Sequence, residues 1–110
     1  PSSATQEEHV SMGWGAARKL RRAIDNLAAV LAVELYAAAR AITLRQIPPS
    51  PVTGAVVQAL RQHTGGPGPD RFLSPALAEV VTLAREGTVV AAAEEVAALR
   101  HTIGTSRGAP

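Results

Sequence analysis

One long stretch with helical spacing constrains this sequence more than any other feature. The side of that stretch facing away from its apolar stripe is also apolar from Leu27 onward, because it consists mainly of alanine and valine. A helix that is apolar all round is buried on several sides. We therefore expect a helix from about Val10 to Leu44, buried in a bundle larger than 110 residues can form. The stripe itself recurs at intervals of three and four: Leu20, Ile24, Leu27, Leu31, Leu35, Ala38 and Ile42.

Prolines and glycines divide the remainder into three shorter helices. Pro48, Pro49 and Pro51 end the long helix, because proline lacks an amide donor and disfavours a helical conformation in the preceding residue. No strand pattern occurs, so the sequence predicts an all-α fold, a long helix followed by three shorter ones. The first is expected from Pro51 to about His63. The second is expected to start at a Ser74 cap, with Pro75 in the first turn, and to end at a left-handed Gly87. The third is expected from Val89, after a Thr88 cap, to about Arg100.

No internal repeat or second domain is apparent. We expect a single helical segment over residues 1–110, in which residues 1–46 hold the long helix, residues 47–103 the shorter helices and residues 104–110 a frayed tail. The longest near-apolar run, residues 27–39, is interrupted by Glu34, which predicts a soluble chain without a membrane span.

Composition excludes several classes of site. The absence of cysteine excludes disulfides, thiolate zinc sites and cysteine nucleophiles. The three histidines are too far apart in sequence for metal-ligand spacing, so no metal site is expected. The net charge is only +2, and the single basic cluster, at residues 18–22, lacks the wide stripe and stacking aromatics typical of nucleic-acid binding. We expect neither metal nor nucleic acid as a partner.

A polar run precedes the long helix. Gln6, Glu7, Glu8 and His9 lie immediately before the first residue of helical spacing. Two interpretations are open. The glutamates cap the first helical turn, where negative charge is stabilised by the helix dipole, or the helix start carries an amide and a carboxylate into a site.

Five segments carry the strongest information on function. They are residues 1–13 (PSSATQEEHVSMG), 16–19 (AARK), 31–38 (LAVELYAA), 66–73 (GPGPDRFL) and 85–90 (REGTVV). Together they resemble the C-terminal part of the histidine ammonia-lyases, within the aromatic amino acid lyase family. The chain departs from the family pattern at Thr5, where asparagine is common, and at Glu8, where aspartate is common.

The resemblance implies a large, mostly helical cytoplasmic enzyme, usually a homotetramer with a central helix bundle shared between subunits. The family converts L-histidine to trans-urocanate and ammonia, the first step of histidine degradation. Its electrophile is a 4-methylidene-imidazol-5-one group made from an internal Ala-Ser-Gly. No Ala-Ser-Gly occurs in these 110 residues. The group is therefore expected on the remaining, N-terminal part of the lyase, and this chain alone is expected to be inactive.

The resemblance also assigns roles to two residues. Glu7 occupies a position that is glutamate in the histidine lyases and typically glutamine in the phenylalanine and tyrosine lyases and the related aminomutases. A carboxylate there suits an imidazole substrate, because it can accept a hydrogen bond from the ring or assist proton transfer. Glu7 is therefore the expected catalytic and substrate-binding residue, and Gln6 a second substrate-binding residue near the electrophile.

Two alternatives stay open. The first is a tyrosine or phenylalanine ammonia-lyase or aminomutase of the same family, against which Glu7 is the single argument. The second is a helical interaction module that keeps the bundle surface and performs no chemistry.

Overall fold

The computed structural model describes the backbone of residues 2–66, 68 and 72–107 and the side chains of residues 12–66, 68 and 72–105. This part of the chain contains four helices and no strand, which confirms the all-α fold. Helix α1 is several times longer than a typical globular helix. The bounds are Ser2–Arg45 for α1, Pro51–Thr64 for α2, Ser74–Arg85 for α3 and Thr88–Arg107 for α4.

Two helix ends differ from the sequence-based boundaries. Helix α1 begins at Ser2, well before Val10, because no proline or glycine interrupts residues 2–9. Helix α4 does not end near Arg100 but continues to Arg107. Gly104 is the most helix-weakening residue on the way, and its cost of about 1 kcal/mol is too small to stop the helix.

Side-chain caps are used less than expected. In α2, the Ser50 hydroxyl accepts a hydrogen bond from the Thr53 amide at 3.3 Å. The expected Ser74 cap is wrong, since Ser74 is already helical and Leu73 precedes it without a side-chain hydrogen bond. Gly87 has the expected positive φ of 83°, but the Ala91 amide donates to its carbonyl, so Gly87 is the N-cap of α4 and Thr88 is the first helical residue instead of the cap.

The core lies where α1, α2 and α3 meet. Helix α1 packs along α3, α2 packs along α4, and contacts between α2 and α3 join the two pairs. An ion pair crosses the α1–α3 contact, from Arg85 Nη1 to Asp25 Oδ1 at 2.6 Å, with both side chains half exposed. The core consists of small and medium aliphatic side chains: Ala32, Ala39, Val57, Leu60, Val80 and Leu83.

The stripe expected to be buried is mostly exposed. Alanine, and not leucine, forms the buried side of α1, at Ala28, Ala32 and Ala39. This side lies roughly 80° around the helix from the stripe, and small residues there allow α1 to approach α3 closely. Leu35 and Ile42 still pack against the core. Four side chains, which we call the exposed stripe, are 43–62% exposed: Leu20, Ile24, Leu27 and Leu31.

The dimensions show that these helices do not enclose a full core. The radius of gyration is 20.8 Å, whereas a globular domain of this length has about 13 Å. The accessible surface is 8353 Å², compared with about 5,800 Å² for a compact monomer of this mass. The helices form a layer 18 Å thick that leaves much apolar surface for contact with other polypeptide.

One finding differs from the expected lack of a membrane span. The segment Met12–Arg45 of α1 is long and apolar enough to cross a membrane by length and composition. Between residues 27 and 44 only Glu34 and Arg40 are charged. Core helices of soluble proteins meet the same criteria of length and composition, so these criteria do not distinguish a membrane span from a buried bundle helix.

The end of α1 contains a strained residue. Gln46 follows the last helical residue with a φ of 58°, a left-handed conformation that favours glycine. We expect Gln46→Gly to raise the free energy of unfolding by about 0.5–1 kcal/mol. The same change at Gln58, exposed within α2, should lower it by about 1 kcal/mol. Urea unfolding of both variants measures the two changes in the free energy of unfolding. Changes of the same sign would contradict the prediction.

Candidate functional site

Helix α1 carries both expected site residues near its N-terminal end. Gln6 and Glu7 belong to the helical backbone, and their side chains lie outside the described residues. Because α1 begins at Ser2, Glu7 and Glu8 occupy the second turn, and the first turn contains no acidic residue. The first-turn acidic cap is therefore wrong as an explanation of this run.

Helical periodicity places the two residues on different lines of α1. Eighteen residues correspond to five turns, so Gln6 shares a line with Ile24 of the exposed stripe. Glu7 shares a line with Asp25, which pairs with Arg85 of α3. The helical backbone therefore places Gln6 on the side of α1 that has the exposed stripe. It places Glu7 on the side that contacts α3 five turns later.

The other helices pack far from these residues. Glu7 lies 21 residues before Ala28, the first buried residue among the described side chains of α1, which corresponds to about 32 Å. From residue 12 to residue 27 no described side chain is buried. Groups that complete a site around Gln6 and Glu7 must therefore come from polypeptide beyond the described helices.

The nearest described side chains form a basic, aromatic face. The Arg18 guanidinium lies over the Trp14 ring, 5.6 Å from its centroid. With Ala17 and Arg21 they line a shallow groove. A cation–π pair at an exposed position contributes about 0.5–1 kcal/mol and supplies no acid, base or nucleophile. This face can position the helix or hold an anion, but it performs no chemistry by itself.

The other described side chains show neither a metal-ligand cluster nor an unpaired buried polar atom. No three histidine, aspartate or glutamate side chains among them lie close enough to hold a metal ion. Every buried side-chain nitrogen or oxygen within the same residues has a hydrogen-bond partner.

A family model and several curated relatives match this chain. The model of the family described as aromatic amino acid lyase matches residues 1–62, which contain all of α1 and most of α2. The chain belongs to the aromatic amino acid lyase family. Within this lyase segment, the matched residues include Gln6, Glu7 and the exposed stripe.

Curated relatives of the lyase segment are named histidine ammonia-lyase. The protein of that name from Streptomyces griseus is 63% identical over 87% of this chain and 20% of its own length. Relatives from Symbiobacterium thermophilum and Chloroflexus aurantiacus are 44% and 39% identical, over 88% and 84% of this chain and 19% of their own lengths. The chain thus spans about a fifth of the curated relatives it matches. No solved structure gives a significant match.

Proposed function

We propose that this chain is the C-terminal part of a histidine ammonia-lyase, which eliminates ammonia from L-histidine to give trans-urocanate. The observation that carries the proposal is the 63% identity to a protein of that name over most of the chain. A glutamate at position 7 supports histidine over an uncharged aryl substrate, because a carboxylate interacts favourably with an imidazole and an amide does so less strongly.

Glu7 has two tasks in this proposal. Its carboxylate accepts a hydrogen bond from the substrate imidazole and orients the ring, and it favours the protonated form of the imidazole through its negative charge. The carboxylate also assists proton transfer during the elimination of ammonia. Gln6, one position earlier and about 100° around the helix, provides an amide for the substrate amine.

The electrophile is proposed to lie outside these 110 residues. In the family it is a 4-methylidene-imidazol-5-one group, which supplies an electron-poor double bond. The sequence here contains no Ala-Ser-Gly from which it could form. We infer that the chain is inactive until it is joined to the N-terminal part of the lyase, in a cytoplasmic enzyme of histidine degradation.

A homotetramer is the assembly we propose for the complete enzyme. The support is the exposed stripe, where four large aliphatic side chains on one helix are 43–62% exposed in this chain. The accessible surface exceeds that of a compact monomer by about 2,500 Å², enough for an obligate interface. A second copy and the remainder of the lyase would cover this surface.

A substrate assay on the complete enzyme tests the proposed reaction. We expect urocanate absorbance to rise with L-histidine and no coumarate absorbance with L-tyrosine, because Glu7 suits an imidazole. Tyrosine or phenylalanine turnover without histidine turnover would make the chain part of another lyase or aminomutase. A stable chain with no companion polypeptide containing Ala-Ser-Gly would instead favour the non-catalytic helical module.

A further inference from the structure

A small pocket lies between the C-terminal parts of α1 and α2, far from Gln6 and Glu7. Arg40 from α1 and Arg61 from α2 both line it, together with Tyr36 and the Gly65–Gly66 turn that follows α2. Arg40 is 33 residues from Glu7 along α1, or about 50 Å. The pocket therefore shares no residue with the pair Gln6 and Glu7.

Neither arginine has a carboxylate partner among the described residues. The single ion pair among the described residues joins Asp25 of α1 to Arg85 of α3. Arg40 is half-buried, while Arg61 is exposed and lies against the turn. A Cβ atom on Gly66 would stand 3.5 Å from Arg61 Nη2, which is an ordinary van der Waals distance and shows that the guanidinium lies beside the turn. Side chains of two arginines from different helices thus line one pocket.

The two threonine hydroxyl groups at the pocket already donate to backbone carbonyls. The Thr43 hydroxyl donates to the Ala39 carbonyl and the Thr64 hydroxyl to the Leu60 carbonyl, each at 2.8 Å. The two guanidiniums supply hydrogen-bond donors and have no acceptor function. A ligand that only accepts hydrogen bonds and carries negative charge fits this arrangement.

The size of the pocket limits how a ligand can enter. The enclosed volume is about 20 Å³, which admits one water molecule or one ligand oxygen. A carboxylate or phosphate could place one oxygen inside and keep the others at the open mouth. Guanidinium groups bind both kinds of oxyanion, often through two parallel hydrogen bonds.

We propose that Arg40 and Arg61 form a binding site for an oxyanion, either a phosphate or a carboxylate group. This assignment does not rest on the proposed lyase reaction. The negative end of the α2 dipole offsets only part of the Arg61 charge, so two guanidiniums at one pocket keep a net positive potential.

Calorimetric titration of the complete lyase with inorganic phosphate, and separately with acetate, tests the site. We expect phosphate to bind with a Kd of about 1 mM that weakens as salt is raised. Arg40→Gln and Arg61→Gln should each weaken binding about tenfold or more, because each removes a charge-assisted hydrogen bond. Binding of acetate alone would identify a carboxylate site. Binding of both phosphate and acetate would identify a general oxyanion site.

Arg45→Gln is the matched control, because Arg45 is exposed in the last turn of the same helix and does not line this pocket. It should change the Kd less than twofold. Phosphate and acetate affinities unchanged by both pocket variants, or no binding of either anion, would overturn the site. Histidine turnover in the same samples reports on the proposed function separately.

Discussion

In the complete lyase, Glu7→Gln is expected to lower kcat/KM for L-histidine by at least about 100-fold. The substitution keeps the shape of the side chain and removes its negative charge and its capacity to take a proton. Because Glu7 lies about 32 Å from the first buried residue described in α1, folding and assembly should be unchanged. Urocanate formation measures the turnover, and circular dichroism with light scattering measures the fold and mass.

Glu8→Gln is the control for this substitution. Glu8 is the next residue of the same helical turn and loses the same charge, but it lies about 100° around the helix. We expect kcat/KM to stay within about threefold of the unsubstituted enzyme. Equal losses in both variants would indicate a general effect of charge at the helix start, and full activity of Glu7→Gln would remove Glu7 from the catalytic residues.

The double substitution of Ile24→Glu and Leu31→Glu is expected to break the assembly of the complete enzyme. Both side chains belong to the exposed stripe, at 51% and 43% exposure, and contribute little to the core of this chain. If the stripe is buried between subunits, each copy would bring two unpaired carboxylates into an apolar contact, which costs several kcal/mol per charge. Size-exclusion chromatography with light scattering should then report species smaller than a tetramer.

Asn26→Glu provides the comparison for the stripe. Asn26 is exposed on α1 between the two substituted positions but lies off the stripe, and its replacement also adds one negative charge. We expect it to leave the assembly intact. A tetramer that survives the double substitution at micromolar concentration would show that the stripe is not a subunit contact.

Helix boundaries set by proline and glycine followed from the sequence. Pro51 begins α2 and Gly87 takes the left-handed conformation because these residues restrict or free the backbone locally. The ends at Ser2 and Arg107 did not follow, because apolar periodicity stops before the helix does. Helices without a proline or strong cap can extend through polar residues.

Long-range packing was the less predictable part. Both the leucine and the alanine sides of α1 are apolar, so periodicity could not decide which one contacts the rest of the chain. The choice depends on Val80 and Leu83 of α3, more than forty residues away, which pack with Ala32 in one core. The pair between Asp25 and Arg85 depends on the same docking. The assignment of Gln6 and Glu7 came from family resemblance, and the structure adds their position along α1.

Because α1 extends far beyond the core, a small tilt of the helix at the core produces a larger displacement at its N-terminal end. Glu7 stands about 32 Å from Ala28, the first buried residue described in α1. A tilt of only about 2° at that place would move the end of the helix by about 1 Å, which is enough to misalign a catalytic group. Substitutions at Ala28 or Ala32, remote from any substrate, should therefore reach catalysis through geometry alone.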